Sequence, residues 1–277
     1  MPYNRVPMKI TICDEPVFVV GAPRSGTSMM QWALRQHPEL WGGQESDYLI
    51  PLVEDLRKRY EEGSRRGRLH WLSGQGVSWE EFLQHVGYGI NSLYMSRSGG
   101  TRWVEQTPQY THAMADMAAM FPGARFVCML RDGRSVVASL RRFVNPVPHE
   151  EACRIWKVSV EAGREFQASP QGERMHVVRY EEVVADTDAV LRRLFGFLGL
   201  PHEPRSTEFI QRKQPINSSF RGETSMEKAL PRWASWTEEE RTAFAGAAGH
   251  LLVDLGFEED DAWITAAPVE LEDTTAG

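Results

Sequence analysis

The chain has 277 residues, 42% apolar and 25% charged, with a formal net charge of −7. That balance suits one large α/β domain of a soluble protein and excludes a fibrous or disordered chain, and no run nears the roughly 18 apolar residues of a membrane span. The acidity is local: Asp254, Glu258, Glu259, Asp260, Asp261, Glu270, Glu272 and Asp273 fall in a stretch without a basic residue, so the rest is near +1 and shows no stripe for nucleic acid.

The apolar run Val17 to Val20 reads as a buried strand, and Ser28 to Gln36 as the helix after it, ending before His37-Pro38. The next firm strand is RFVCML, Arg125 to Leu130, followed by a helix from Ser135 to Phe143. TRWVEQ, near 101 to 106, is a weaker strand. Residues 150 to 167 have helical spacing, MHVVR (175 to 179) is a strand, and Glu182 to Leu198 reads as one long helix stopped by Gly199 and Pro201. Residues 237 to 254 read as a last helix. Strands alternating with helices predict a parallel sheet between helical layers, a phosphate-loop-type three-layer α/β/α fold. Residues 1–257 are expected as one domain and 258–277 as an acidic tail. A helical insert over about 46–100, carrying Trp71, Trp79, Tyr88 and Tyr94, is expected to cover an acceptor site at one end of the sheet.

Cys13, Cys128 and Cys153 are odd in number and widely spaced, which gives neither a disulfide framework nor a metal site. The N-terminal MPYNRVPMKITICDEP lacks the order of a signal peptide. A cytoplasmic protein without a metal is expected. A homodimer stays open.

The chemistry concentrates in GAPRSGTS, Gly21 to Ser28. Glycines let the backbone approach an anion, and the N–H groups and dipole of the following helix favour it. Where a nucleotide hydrolase has lysine, this loop has Thr27, and Arg24 stands three residues earlier. That disfavours metal-assisted phosphoryl transfer. A second anion site is expected at Arg131, which ends a strand. Ser135 and Ser139 share one face of the next helix, whose own N-terminus would add backbone donors.

VVGAPRSGTS, with HP nine residues past its last serine, resembles the 5′-phosphosulfate loop of the sulfotransferases, whose donor is 3′-phosphoadenosine 5′-phosphosulfate (PAPS). FVCMLRDGRSVVASLRRF resembles their 3′-phosphate motif, which implies Arg131 and Ser139 as its ligands. VVRYEEVVADTDAVLRRLFGFLGLP resembles the strand-helix unit that places a tyrosine, here Tyr180, by the adenine. KALPRWASW resembles the segment whose basic residue, here Arg232, closes over the donor. The resemblance covers about residues 16 to 236. It implies donor contacts from Pro23, Arg24, Ser25, Gly26, Thr27, Ser28, Arg131, Ser139, Tyr180 and Arg232.

HPELWGGQESDYL is similar to the protein-tyrosine type of sulfotransferase, which implies Glu45 as the catalytic base and Arg24 as the charge on the leaving group. His112 is the rival base. RWVEQTPQY departs from an "E-K-T-P" motif of that type: Gln106 replaces a lysine, and Lys213 and Arg232 are candidate substitutes. The expected function is direct sulfuryl transfer from PAPS to a hydroxyl of a small molecule, sugar, lipid or tyrosine-type phenol, with a small molecule favoured over a protein. A small-molecule kinase of the phosphate-loop class and a non-catalytic nucleotide-binding module are the alternatives.

Overall fold

The structure, a computed structural model, describes residues 10–143, 145–212 and 232–265. In chain order the elements begin with β1 (Val17–Gly21), α1 (Thr27–Leu34) and β2 (Leu40–Gly42). The insert follows as α2 (Leu49–Ser64), α3 (Trp71–Gly74) and α4 (Trp79–Arg97). Then come β3 (Arg102–Gln106), a 3-10 stretch (Pro108–Ala113), α5 (Met114–Met120), β4 (Arg125–Leu130), α6 (Gly133–Leu140) and α7 (His149–Ala168). The described chain ends with β5 (Met175–Arg179), α8 (Tyr180–Ala185), α9 (Thr187–Phe197), α10 (Pro204–Gln211), α11 (Glu238–Phe244), a π turn (Ala245–Gly249) and α12 (His250–Asp254).

All five strands among the described residues are parallel, in the order β2-β3-β1-β4-β5. Side chains alternate across the sheet, as the strand period of two requires. Val17 and Val19 of β1 and Val127 and Met129 of β4 face α1 and α9, against Met30, Leu34, Leu191 and Leu194. Phe18, Val20, Phe126 and Cys128 face the other way, with Trp103, Tyr110, Met117 and Phe121. The sheet therefore lies between two helical layers, which is the phosphate-loop-type α/β/α architecture. Burying both faces is what makes the strands read as continuous apolar runs.

The chain leaves β1 towards β2 on one side, while β4 and β5 extend the sheet on the other. Neighbouring connections diverge there, so a crevice is expected beyond the carboxyl ends of β1 and β4. Gly21 and Arg131 stand at those ends.

Three local expectations change. The segment Glu182 to Leu198 is two helices, not one. Asp186, at φ −148° and ψ 82°, breaks it and caps α9 by accepting from the Ala189 N–H. β2 has only three residues, too few for a period to show in sequence. The stretch read as an acidic tail begins as part of the packed body: Trp263 is buried, and Glu258 pairs with the buried Arg134. Arg134 also binds Asp132 at 2.7 Å and lies 3.7 Å from the centre of the Trp233 ring. This guanidinium thus ties α6 to the last described segment.

Candidate active site

The loop after β1 is built on two left-handed glycines and a left-handed arginine. Gly21 has φ 137°, and any Cβ there would run into the Met129 carbonyl. Gly26 has φ 100°, and a Cβ would meet the Tyr180 ring at 2.9 Å. Arg24 itself sits at φ 75°. Two hydroxyls pin the loop: Thr111 Oγ1 accepts the Gly21 N–H at 2.6 Å, and Ser25 donates to the Ala22 carbonyl at 2.5 Å. Ser25 is buried and its hydroxyl is taken up in that bond, whereas Pro23, Gly26 and Ser28 are half-buried.

Gly26 caps α1 and has no side chain to offer, so the first N–H groups of that helix lack a side-chain cap. No acidic residue stands in its first turn. Orphan donors plus the helix dipole make this end receptive to an anion.

Guanidinium groups gather beside it. Arg24 Nε donates to Ser139 Oγ at 3.1 Å, and its carbon lies 5.1 Å from the centre of the Phe143 ring. Arg131 donates to the Arg24 carbonyl at 3.0 Å and stacks 4.1 Å from the centre of the Tyr180 ring. Burial first, and Arg131 second, push the pKa of Arg24 down. Burial, then Arg142, then Arg131 do the same to Arg232. Guanidinium groups gathered this closely favour an anion among them. Tyr180 underlies Arg131 and Gly26. Lys213 lies outside the described residues.

One expected donor set is not there. The α6 N-terminus is already capped: Asp132 accepts the Arg134 N–H at 2.9 Å, and Glu181 accepts the Asp132 N–H at 2.9 Å. Two carboxylates at that end replace the expected backbone anion site, so an anion beside Arg131 would rest on side chains.

Glu45 reaches the loop by a chain of specific contacts. His37, buried, accepts the Glu39 N–H at 3.1 Å and pairs with the Pro201 carbonyl at 3.2 Å, which fixes the turn out of α1. Gln31 of α1 then donates to the Gly43 carbonyl at 3.1 Å. This brings the chain back over the sheet. Gln106, buried at the end of β3, uses its amide twice: it donates to Glu45 Oε1 at 3.0 Å and to Thr27 Oγ1 at 3.1 Å. Burial raises the pKa of Glu45, the Gln106 bond lowers it, and Asp47 raises it slightly further.

His112 lies on the 3-10 stretch after β3, 3.5 Å from Ser159 Oγ of α7. Burial and the Arg154 charge push its pKa down, which favours a neutral ring. Its hydrogen bond goes to α7, and among the described residues none joins it to Glu45, Gln106 or Thr27.

Four residues of the site escaped the sequence reading. Thr111 and Phe143 touch the phosphate loop, and Ser46 and Glu105 lie behind Glu45. Glu105 had a signal, since a carboxylate in the strand RWVEQ is rarely buried without purpose.

A family model described as the sulfotransferase family matches residues 16–204. The chain is 24% identical over 258 residues to protein-tyrosine sulfotransferase A of Caenorhabditis elegans, covering 87% of this chain and 67% of that protein. It is 25% identical over 192 residues to the protein-tyrosine sulfotransferase of Drosophila melanogaster, covering 67% of this chain but only 38% of that longer protein. The fold matches mouse sulfotransferase SULT7A1, solved with PAP, at a TM-score of 0.53 and 12% identity, over 88% of each chain. The family model covers more than half of the chain, and the chain belongs to the sulfotransferase family, the PAPS-dependent transferases.

Proposed function

We propose that the crevice at β1 and β4 binds PAPS and that Glu45 accepts the proton of the attacking hydroxyl. One observation carries this reading: the Gln106 amide joins Glu45 to Thr27 of the phosphate loop, so a carboxylate with a raised pKa stands beside the anion site. The residues fit a nucleotide phosphorylated at both ends. The α1 N-terminus, Arg24, Thr27 and Ser28 suit the 5′-phosphosulfate, and Arg131 with Ser139 suits the 3′-phosphate. Arg232 stands near enough to Arg131 to feel its charge and completes the cluster.

The transfer is a direct displacement. The acceptor oxygen forms a bond to sulfur as the bond from sulfur to the 5′-phosphate oxygen breaks. Glu45 takes the acceptor's proton. Arg24 and the helix N-terminus stabilise the departing phosphate. Gln106 brings hydrogen bonds but no charge to the place where the tyrosine-type motif has lysine. The leaving-group charge therefore rests on guanidiniums.

The acceptor is a hydroxyl compound, and relatives named for protein tyrosine make a phenol the first class to try. Tyr48, three residues past Glu45 at the start of the insert, is exposed and is a candidate to meet the acceptor. A small phenol is favoured over a peptide. The test pairs binding with turnover. PAP without magnesium should raise the melting temperature, and ATP with magnesium should not; the reverse outcome supports a kinase. Labelled PAPS offered with a panel of phenols and alcohols should yield a sulfated product, and Glu45→Gln should lose it. PAP binding with no transfer to any acceptor supports the non-catalytic module.

A further inference from the structure

Behind Glu45 lies a second carboxylate. Glu105 of β3 is 2% exposed, and its side chain points to the face of the sheet opposite Thr27. Its Oε1 accepts three hydrogen bonds: from the Ser46 N–H at 3.1 Å, from Ser46 Oγ at 2.8 Å and from Thr107 Oγ1 at 2.8 Å. Ser46 Oγ also meets the Tyr110 hydroxyl at 2.7 Å, and that hydroxyl accepts the Leu49 N–H at 3.1 Å. The network therefore grips the chain immediately after Glu45 at two backbone positions, Ser46 and Leu49. Glu105 Oε2 is buried and has no hydrogen-bond partner among the described residues.

A buried carboxylate with one bare oxygen is costly, and an apolar residue at the same place would pack without that cost. Retaining a costly buried carboxyl group makes sense where it sets a geometry. We propose that Glu105 is a positioning residue for the proton acceptor, holding Glu45 against the phosphate loop through Ser46. Gln106 and Glu105 are adjacent on β3 and point to opposite faces. One grips the Glu45 side chain and the other grips the N–H and hydroxyl of the next residue, Ser46, so β3 clamps the base from both sides.

The electrostatics agree. Burial pushes Glu105 up to about 7, the bonds from Ser46 and Thr107 oppose this, and the Glu45 charge pushes it up further. The groups facing Glu105 are Glu45 and Ser46 from the segment after β2, Tyr48 at the start of the insert, Tyr94 of α4, and Thr107 and Tyr110 after β3. Burial raises the pKa of all three tyrosines, so none supplies a competing charge near neutrality.

The inference rests on Glu45 as the base, and its test needs no acceptor. Hydrogen exchange is followed on the PAP-bound full chain for wild type, Glu105→Ala and Glu105→Gln. Glu105→Ala should speed exchange over residues 43–49 by about tenfold or more, with residues 17–30 and the PAP dissociation constant unchanged. Glu105→Gln keeps an acceptor oxygen for Ser46 and should restore slow exchange. Carboxyl NMR should show the Glu105 titration moving down in Glu45→Gln. Unchanged exchange over 43–49 in Glu105→Ala overturns the inference. So does a rise spread over the whole sheet, which would mark a core residue only. If Glu45→Gln retains full turnover with an acceptor, the base reading fails on its own, whatever the exchange shows.

Discussion

The amide nitrogen of Gln106 lies 3.0 Å from Glu45 Oε1 and 3.1 Å from Thr27 Oγ1. Gln106→Leu removes the bond to Glu45 together with the one to Thr27, and without the bond that opposes burial the Glu45 pKa rises further above its usual range. Since the base works only when ionised, the acid limb of the rate profile should move to higher pH. Turnover at neutral pH should fall roughly tenfold. Gln106→Lys supplies a cation and should move the limb the other way. A pH profile of kcat checks both signs.

Arg24→Ala deletes the guanidinium nearest the α1 N-terminus and should lower kcat by roughly 10²-fold. Ser139→Ala, which removes its partner at 3.1 Å, should act chiefly on donor affinity. Steady-state kinetics with PAPS varied separate the two effects.

Glu105 predicts a pH signature in stability. Its folded pKa of about 7 lies above the unfolded value of 4.5, so the fold favours the neutral acid. That contribution is complete below about pH 4.5 and is lost as pH rises through about 7. Glu105→Gln removes it. Relative to the variant, the wild type should lose up to about 3 kcal/mol between pH 5 and pH 8. Urea unfolding at several pH values measures this, and a flat difference would refute the assignment.

Gly26→Ala sets a methyl against the Tyr180 ring at a φ of 100°. It should cost about 2 kcal/mol or more and weaken PAP binding, because Tyr180 also carries Arg131. Calorimetry with PAP reads both.

Arg134→Met strands Asp132 and Glu258 and unstacks Trp233 and Trp263. A loss of about 3 kcal/mol is expected. Donor affinity should fall with it, since Arg232 adjoins Trp233. Glu258→Gln should be milder, because the Asp132 pair remains.

By itself the sequence determined what is written in consecutive residues. The loop GAPRSGTS carries its own backbone requirements, since only glycine tolerates the conformations of Gly21 and Gly26. The buried parallel strands show as unbroken apolar runs, and the strand-loop-helix order places Arg24, Arg131 and Ser139 in named motifs. The short β2 and the break at Asp186 were hidden, because three residues have no period and an Asp-Thr-Asp stretch continues a helical pattern as easily as it caps a new helix. Only the tertiary structure decided which groups share a site. Gln106 reads as a neutral replacement for lysine, yet its buried amide is the bridge between Glu45 and Thr27. Asp132 follows a phosphate-motif arginine, yet it closes the helix end that would otherwise bind an anion. Glu105 reads as an ordinary strand carboxylate until Ser46, distant in sequence, meets it. Hydrogen bonds between elements depend on register and on which face of β3 each side chain takes, and those are set by packing the whole sheet between its helices.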